Sequence, residues 1–439
     1  MKFESSSDTS MLKINQLMIS RYFVLYGSLI SISLFISGAT SLSYQIVWQR
    51  ILAQEIGVDA ISVTITVAIF MLGLAFGTYV GRKLSELTFR PILLYFAFEL
   101  IISFYALESY SLLKEARGFF FSSVTVYYYD FILYACVLFI PTCLMGAGVP
   151  IIMKVLGSNG KATSSVFGLI YGINLAGAFA GTLLTSFLVV EKFGLSGSLE
   201  LSAYFNLLIP VLILPLLWME FKAQRQKPLF NFKTPTTPKN AVFSKSKHLT
   251  MVISAILYGF VTLSLEIIMF RVLSNYFGTR SIIFPILLAS FLLNMAIGEW
   301  IGAALCRLKK ISLNFKILFL YALSLTVLVS LFWIPESYLL DIGINQRIAR
   351  IPRELPFFFI VTSCALLPVI FLSSLFPLFI RSSATENEAG ETIVGRILFY
   401  STIGNFLGAT ITGLILLPMI GTMGTGLPRV CLTPNSVTM

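Results

Sequence analysis

Four carboxylates, Glu99, Glu108, Glu266 and Glu299, fall inside apolar runs long enough to cross a bilayer. A charged side chain there costs at least ~2.5–3.5 kcal/mol on insertion scales, so each is a candidate for holding a cation or a proton. Glu99 lies about nine residues into its run, roughly 13 Å deep at 1.5 Å per residue and close to mid-membrane. It suits a proton- or cation-coupled group, or a structural carboxyl paired to another helix or protonated in place. Glu266 and Arg271 are five apart, about 140° around a helix, and do not face each other. Pairing Glu266 with Arg50 and Arg271 with Gln45 is the better arrangement, as a gate or as a scaffold, and Gln49 on the face of Gln45 would extend it. Glu299 sits near one end of its run in a glycine-rich turn, where it is expected to reach the interface. Asn174, Asn294 and Asn405 lie near mid-membrane and suit interhelical hydrogen bonds, with ligand contact as the second role.

No catalytic set or metal site accompanies these groups. His248 is the only histidine, and the five cysteines are scattered without a CxxC pair. No cofactor is expected.

The elements that must position these groups are helices in lipid. Of the 439 residues, 57% are hydrophobic and 12% charged, and the mean hydropathy is +0.88, too little charge to cover a water-soluble protein of this size. The apolar runs are nearly unbroken over 20 to 25 residues, which suits helices and not the alternating pattern of barrel strands. Eleven spans are expected near 22–46, 60–82, 91–113, 131–153, 165–190, 197–218, 250–272, 281–304, 315–334, 356–380 and 394–418. Segments on the N-terminal side hold 21 of the 31 Lys and Arg, seven of them between Lys222 and Lys247. By the positive-inside rule the N-terminus and that basic, Pro-rich linker are cytoplasmic. The net charge of +11 is thus assigned to topology and anionic headgroups, not to nucleic acid.

The halves repeat. At an offset of 221, Gly38, Ser43, Ile46, Arg50 and Gly57 match Gly259, Ser264, Ile267, Arg271 and Gly278, and Phe70, Gly77 and Gly81 match Phe291, Gly298 and Gly302. At an offset of 227, Pro141, Pro150, Gly168, Gly177 and Gly181 match Pro368, Pro377, Gly395, Gly404 and Gly408. An even number of spans per repeat makes the halves parallel, related by an axis along the membrane normal as in major-facilitator halves, with any solute site between them near mid-membrane. The expected fold is an all-α polytopic membrane protein of two parallel six-helix repeats with about 11 transmembrane helices and the twelfth missing. The divisions are 1–221 for the first repeat, 222–248 for the linker, 249–426 for a five-helix second repeat and 427–439 for an atypical tail.

Within the repeats, Gly73-Gly77-Gly81, Gly177-Gly181 and Gly404-Gly408 have small-xxx-small spacing, for close packing or for rocking surfaces. Pro141 with Pro150, and Pro368 with Pro377, would kink the fourth and tenth spans, as walls of a site or as static bends.

Three stretches resemble the membrane domain of bacterial fused major-facilitator/spermidine-synthase-like proteins. They are Ser-Gly-Ala-Thr-Ser-Leu-Ser-Tyr-Gln-Ile-Val-Trp-Gln-Arg-Ile-Leu from Ser37, Phe-Met-Leu-Gly-Leu-Ala-Phe-Gly-Thr-Tyr-Val-Gly-Arg-Lys-Leu from Phe70, and Gly-Arg-Ile-Leu-Phe-Tyr-Ser-Thr-Ile-Gly-Asn-Phe-Leu-Gly from Gly395. The resemblance covers nearly all of residues 22–426. Gln45 stands where that family's first repeat usually has Glu, whereas Glu266 keeps the acid in the second. No Gly-rich, acidic aminopropyltransferase pattern is present, so the chain is not expected to be an enzyme. The resemblance implies a multi-pass protein of the bacterial cytoplasmic membrane. Its expected function is a secondary carrier of a small solute, with a polyamine or other small cation suggested. The alternative is a non-transporting anchor or partner of a separately encoded cytosolic enzyme.

Overall fold

The computed structural model describes residues 5–56, 59–120, 127–157, 162–225, 245–277, 283–308, 311–332, 366–384, 388–417 and 419. Most of the linker, the start of the tenth span and the 427–439 tail lie outside them, as does any twelfth span.

Eleven α-helices are described: α1 (Ser5–Ile56), α2 (Asp59–Leu87), α3 (Pro91–Phe120), α4 (Tyr127–Leu156), α5 (Ala162–Leu184), α6 (Val190–Arg225), α7 (Lys245–Phe277), α8 (Ile283–Arg307), α9 (Leu313–Phe332), α10 (Leu367–Ser383) and α11 (Gly390–Thr410). Eight described helical stretches are long and apolar enough to cross a membrane. One of them, Ala162–Lys222, is 61 residues long, about twice a bilayer's need. It breaks at Gly194, whose φ of 68° is a left-handed conformation that favours glycine, so α5 and α6 are two spans.

Helix packing repeats with the sequence. In the first half α1 packs on α5, α2 on α4 and α3 on α4; in the second α7 packs on α11, α8 on α10 and α9 on α10. The halves meet along two seams, α2 with α11 and α5 with α8, which the offsets interchange.

The same residues make the same contacts. A Cβ at Gly38 would fall on the Asn174 carbonyl oxygen, and one at Gly259 on that of Ser401. Gly177 and Gly181 lie against the carbonyls of Phe35 and Ala39, Gly404 and Gly408 against those of Ile256 and Phe260. Gly77 meets the Cys143 carbonyl as Gly298 meets that of Ile370. Without a Cβ these helices approach until backbone touches backbone, gaining the dispersion contacts that drive association in lipid.

A π-helical turn follows α5 at Thr185–Val189 and α11 at Ile411–Leu416, again in corresponding places. An inserted residue widens the helix there. Beside each turn a hydroxyl pair joins two helices, Thr185 Oγ1 to Ser43 Oγ at 2.6 Å and Thr412 Oγ1 to Ser264 Oγ at 2.8 Å.

At the N-terminal face, where α2 and α8 end, Lys154 donates to the Ser85 carbonyl and Arg381 to that of Cys306. Cations there satisfy last-turn carbonyls and oppose the negative end of the helix dipole. Lys154→Gln should cost about 0.5–1 kcal/mol, lowering the melting temperature in detergent, while Lys154→Arg, the residue the second repeat uses, should retain it.

Candidate functional site

The polar groups fall into three sets. The first is enclosed within the first half. Glu99 on α3 is 3% exposed. It accepts from Ser37 Oγ on α1 at 2.9 Å and from Asn206 Nδ2 on α6 at 3.0 Å. Asn206 also reaches Ser103 Oγ at 3.0 Å and accepts from Thr40 Oγ1 at 2.6 Å. Tyr95, one turn before Glu99, lies close enough to interact with it electrostatically. All these partners are on α1, α3 and α6, and among the described residues none comes from the second half. The geometry gives Glu99 the role of tying three helices together. Asn206 was not singled out from sequence, although a carboxamide in the middle of an apolar run is itself the signal.

The second set lies towards the opposite face. Arg50 on α1 donates to the Ser186 carbonyl at 3.5 Å, a group in the π-helical turn of its own half. The Glu266–Arg50 pair expected across the repeat axis is therefore not among the described ion pairs. Glu266 on α7 is 4% exposed and has no hydrogen-bond or ion-pair partner among the described residues. Arg271 is exposed and Gln45 buried; no bond joins them among the described residues. Asn174 backs onto Gly38, Asn294 is buried, and Asn405 on α11 reaches Met71 Sδ on α2 at 3.8 Å across a seam.

The third set is where the halves meet. Glu299 on α8 is expected from sequence to reach the interface, but it is 0% exposed, with no hydrogen bond to either carboxylate oxygen among the described residues. Its neighbours in the helix explain this. Gly298 packs on α10 at Ile370 and Ser373, and Trp300 packs on Gly172 of α5, so position 299 points between α5 and α10. Tyr171 of α5 and Tyr258 of α7 lie within electrostatic range of it. Phe376 of α10, the residue before Pro377, holds its ring tilted against those of Tyr258 and Phe167, with centroids at 5.1 and 5.5 Å.

Two latches close the N-terminal face across the seams. Thr392 Oγ1 on α11 donates to Glu86 Oε1 on α2 at 3.2 Å, and Arg307 Nε on α8 donates to Ser165 Oγ on α5 at 2.8 Å. The offsets place Glu86 on Arg307 and Ser165 on Thr392, so one latch is the repeat of the other with donor and acceptor exchanged.

Among the described residues no three His, Cys, Asp or Glu side chains are grouped to hold a metal. The arrangement ties helices within each half, joins the halves by hydrogen bonds across the seams and leaves one carboxylate buried where the halves meet.

No protein-family model matches the chain, and neither does any curated protein. Solved structures do match over nearly the whole chain. The human organic anion transporter MFSD10 (TETRAN) is 14% identical with a TM-score of 0.54, covering 90% of this chain and 94% of its own. A bacterial homologue of the iron transporter ferroportin, in an outward-facing state, is 14% identical at 0.56, covering 91% and 94%. The proton:xylose symporter XylE is 11% identical at 0.52, covering 90% and 89%. At these identities the likeness is one of fold: a polytopic helical membrane protein with the major-facilitator arrangement.

Proposed function

We propose that this chain is a secondary carrier moving a small solute across the bacterial cytoplasmic membrane, its N-terminus cytoplasmic, by rocking of its two repeats about the α2/α11 and α5/α8 seams. One contrast carries this reading. Within each half, glycines bring backbone against backbone, as at Gly38 with Asn174 and Gly259 with Ser401, and such contacts cannot slide. Across the seams side chains dominate: Gly172, Gly395 and Gly413 meet those of Trp300, Arg82 and Thr64, and one backbone approach, Gly168 to the Glu299 carbonyl, is looser at 2.8 Å. The latches are single hydrogen bonds at exposed groups. Each is worth about 1 kcal/mol, so the halves hold as units while the seam between them can open. The fold shared with transporters of other solutes supports the same reading.

The resemblance to spermidine-synthase-like membrane domains makes a polyamine the first solute to try. Glu266 and Glu299, buried without a cationic partner among the described residues, are consistent with a positively charged cargo.

The test is uptake into proteoliposomes of a radiolabelled panel of small cations, anions and sugars, with spermidine as the polyamine. Cysteines placed at 86 and 392 in a background freed of native cysteines are bridged with a short reducible linker. Saturable uptake of one solute, lost more than tenfold on bridging and restored by reductant, is expected. Uptake that survives bridging, or no saturable uptake across the panel, would overturn the carrier reading and favour an anchoring role.

A further inference from the structure

The rings around Glu299 form a wall of a particular kind. Phe167 and Tyr171 on α5 stack at 4.9 Å, Phe167 meets Phe376 on α10 at 5.5 Å, and Phe376 meets Tyr258 on α7 at 5.1 Å. The chain of rings thus joins α5 of the first half to α7 and α10 of the second, and two of its members, Tyr171 and Tyr258, lie within electrostatic range of the Glu299 carboxyl on α8. Among the described residues that carboxyl has no hydrogen-bond donor, and a buried charge without a partner is costly.

The internal repeat separates what the fold needs from what this site adds. Glycine contacts, hydroxyl pairs, helix-end cations and latches all occur twice. The box does not. The residues corresponding to Glu299, Tyr258, Phe376, Tyr171 and Phe167 are Thr78, Ser37, Val149, Leu398 and Val394. Thr78 satisfies itself on the Leu74 carbonyl at 2.8 Å and lies 3.3 Å from that of Gly146. At these positions the repeat-related junction has two hydroxyls and three aliphatic side chains. The buried acid of the first half, Glu99, stands on another helix and takes a hydrogen bond from Ser37, so packing at the junction does not by itself require an acid without a donor beside aromatic rings.

Aromatic faces carry the negative side of a quadrupole and attract organic ammonium groups, more strongly when desolvated. Hard metal cations instead take six or more oxygen ligands, and no grouping of three or more metal ligands occurs among the described residues. We infer that Glu299, with Tyr171, Tyr258, Phe167 and Phe376, binds the ammonium head of a small organic cation at the meeting of the two halves. The carboxylate supplies the counter-charge and the rings replace the water shell. The Glu299 carbonyl lies against Gly168 of α5, so opening the α5/α8 seam would uncover the site. This deepens the carrier reading by naming its solute class.

Binding is measured without flux. Full-length protein in detergent is titrated with methylammonium and tetramethylammonium chloride against sodium chloride at equal ionic strength, reading the melting temperature. A saturable rise with either ammonium salt is expected, with at least tenfold weaker apparent affinity in Glu299→Gln and no change in Glu108→Gln, whose side chain is exposed. Tyr258→Phe should keep the affinity and Tyr258→Leu should weaken it severalfold, because the ring and not the hydroxyl is engaged. The inference is overturned if neither ammonium salt exceeds sodium with the wild-type chain, or if Glu299→Gln or Tyr258→Leu binds as well as wild type. It also fails if Glu299→Gln only raises the melting temperature and the wild type binds no ammonium, since the carboxyl then holds a proton alone. Failure here with intact, bridge-sensitive uptake removes the ammonium site and leaves the carrier. Binding without uptake does the reverse.

Discussion

Replacing Gly259 by leucine is expected to abolish recovery of folded protein, and Gly259→Ala to lower its apparent melting temperature by about 2–4 °C. The Cβ of any residue at 259 would coincide with the Ser401 carbonyl oxygen, with the Asn405 amide nitrogen 2.8 Å away. Both are backbone atoms of α11 and cannot rotate aside. Overpacking costs about 1–3 kcal/mol where neighbours yield and more where, as here, they are backbone, which outweighs the ~1 kcal/mol that alanine gains over glycine in a helix. Gly38→Ala should behave alike, since its Cβ would meet the Asn174 carbonyl. Gly27 is the control: nothing lies within 4 Å of its would-be Cβ, so Gly27→Ala should be neutral or slightly stabilising. Thermal scans by size-exclusion chromatography in detergent would show it. Equal losses at Gly27 and Gly259 would mean that helix propensity, not close approach, governs both.

The second large effect is expected at Asn206. Leucine there removes a donor 3.0 Å from Glu99, a contact with Ser103 and the acceptor of Thr40. Interhelical hydrogen bonds in membranes average near 0.6 kcal/mol and reach about 1.7, while leaving a buried charged group short of a partner adds about 1.5–3 kcal/mol. A loss of about 2–3 kcal/mol is expected for Asn206→Leu. Adding Glu99→Leu should recover part of it, because removing both partners spares the unsatisfied charge. Glu99→Gln should keep uptake and lose less stability than Asn206→Leu, as an amide oxygen can still accept from Ser37 or Asn206 while its NH2 cannot accept from the other. If Glu99→Gln left the melting temperature unchanged yet abolished uptake, Glu99 would be a coupling group and not a tie between helices.

The contrast between Glu99 and Glu299 shows how far sequence reasoning about sites reaches. Both acids are conspicuous because charge is rare in apolar runs, and depth along the helix favours Glu99. Depth does not say which way a side chain points. Ser37 and Asn206 are 62 and 107 residues from Glu99, so its satisfaction depends on three helices meeting. Glu299 looked peripheral because it is close to a helix end, yet Gly298 and Trp300 dock on either side of it and turn it inward. The rings were lost among 39 phenylalanines and 18 tyrosines; proximity between α5, α7 and α10 is what distinguishes four of them.

By itself the sequence determined the solvent and the plan. Apolar runs of membrane length force helices, because no other open structure satisfies its backbone in lipid. The two offsets force like contacts in like places, so Gly38 and Gly259, Thr185 and Thr412, and Lys154 and Arg381 recur as pairs. Only the tertiary structure decided which polar groups lack partners and which face the seam. A helix presents its side chains all round at 100° intervals, and only the neighbours that pack against it fix which of them meet protein and which are left for a ligand.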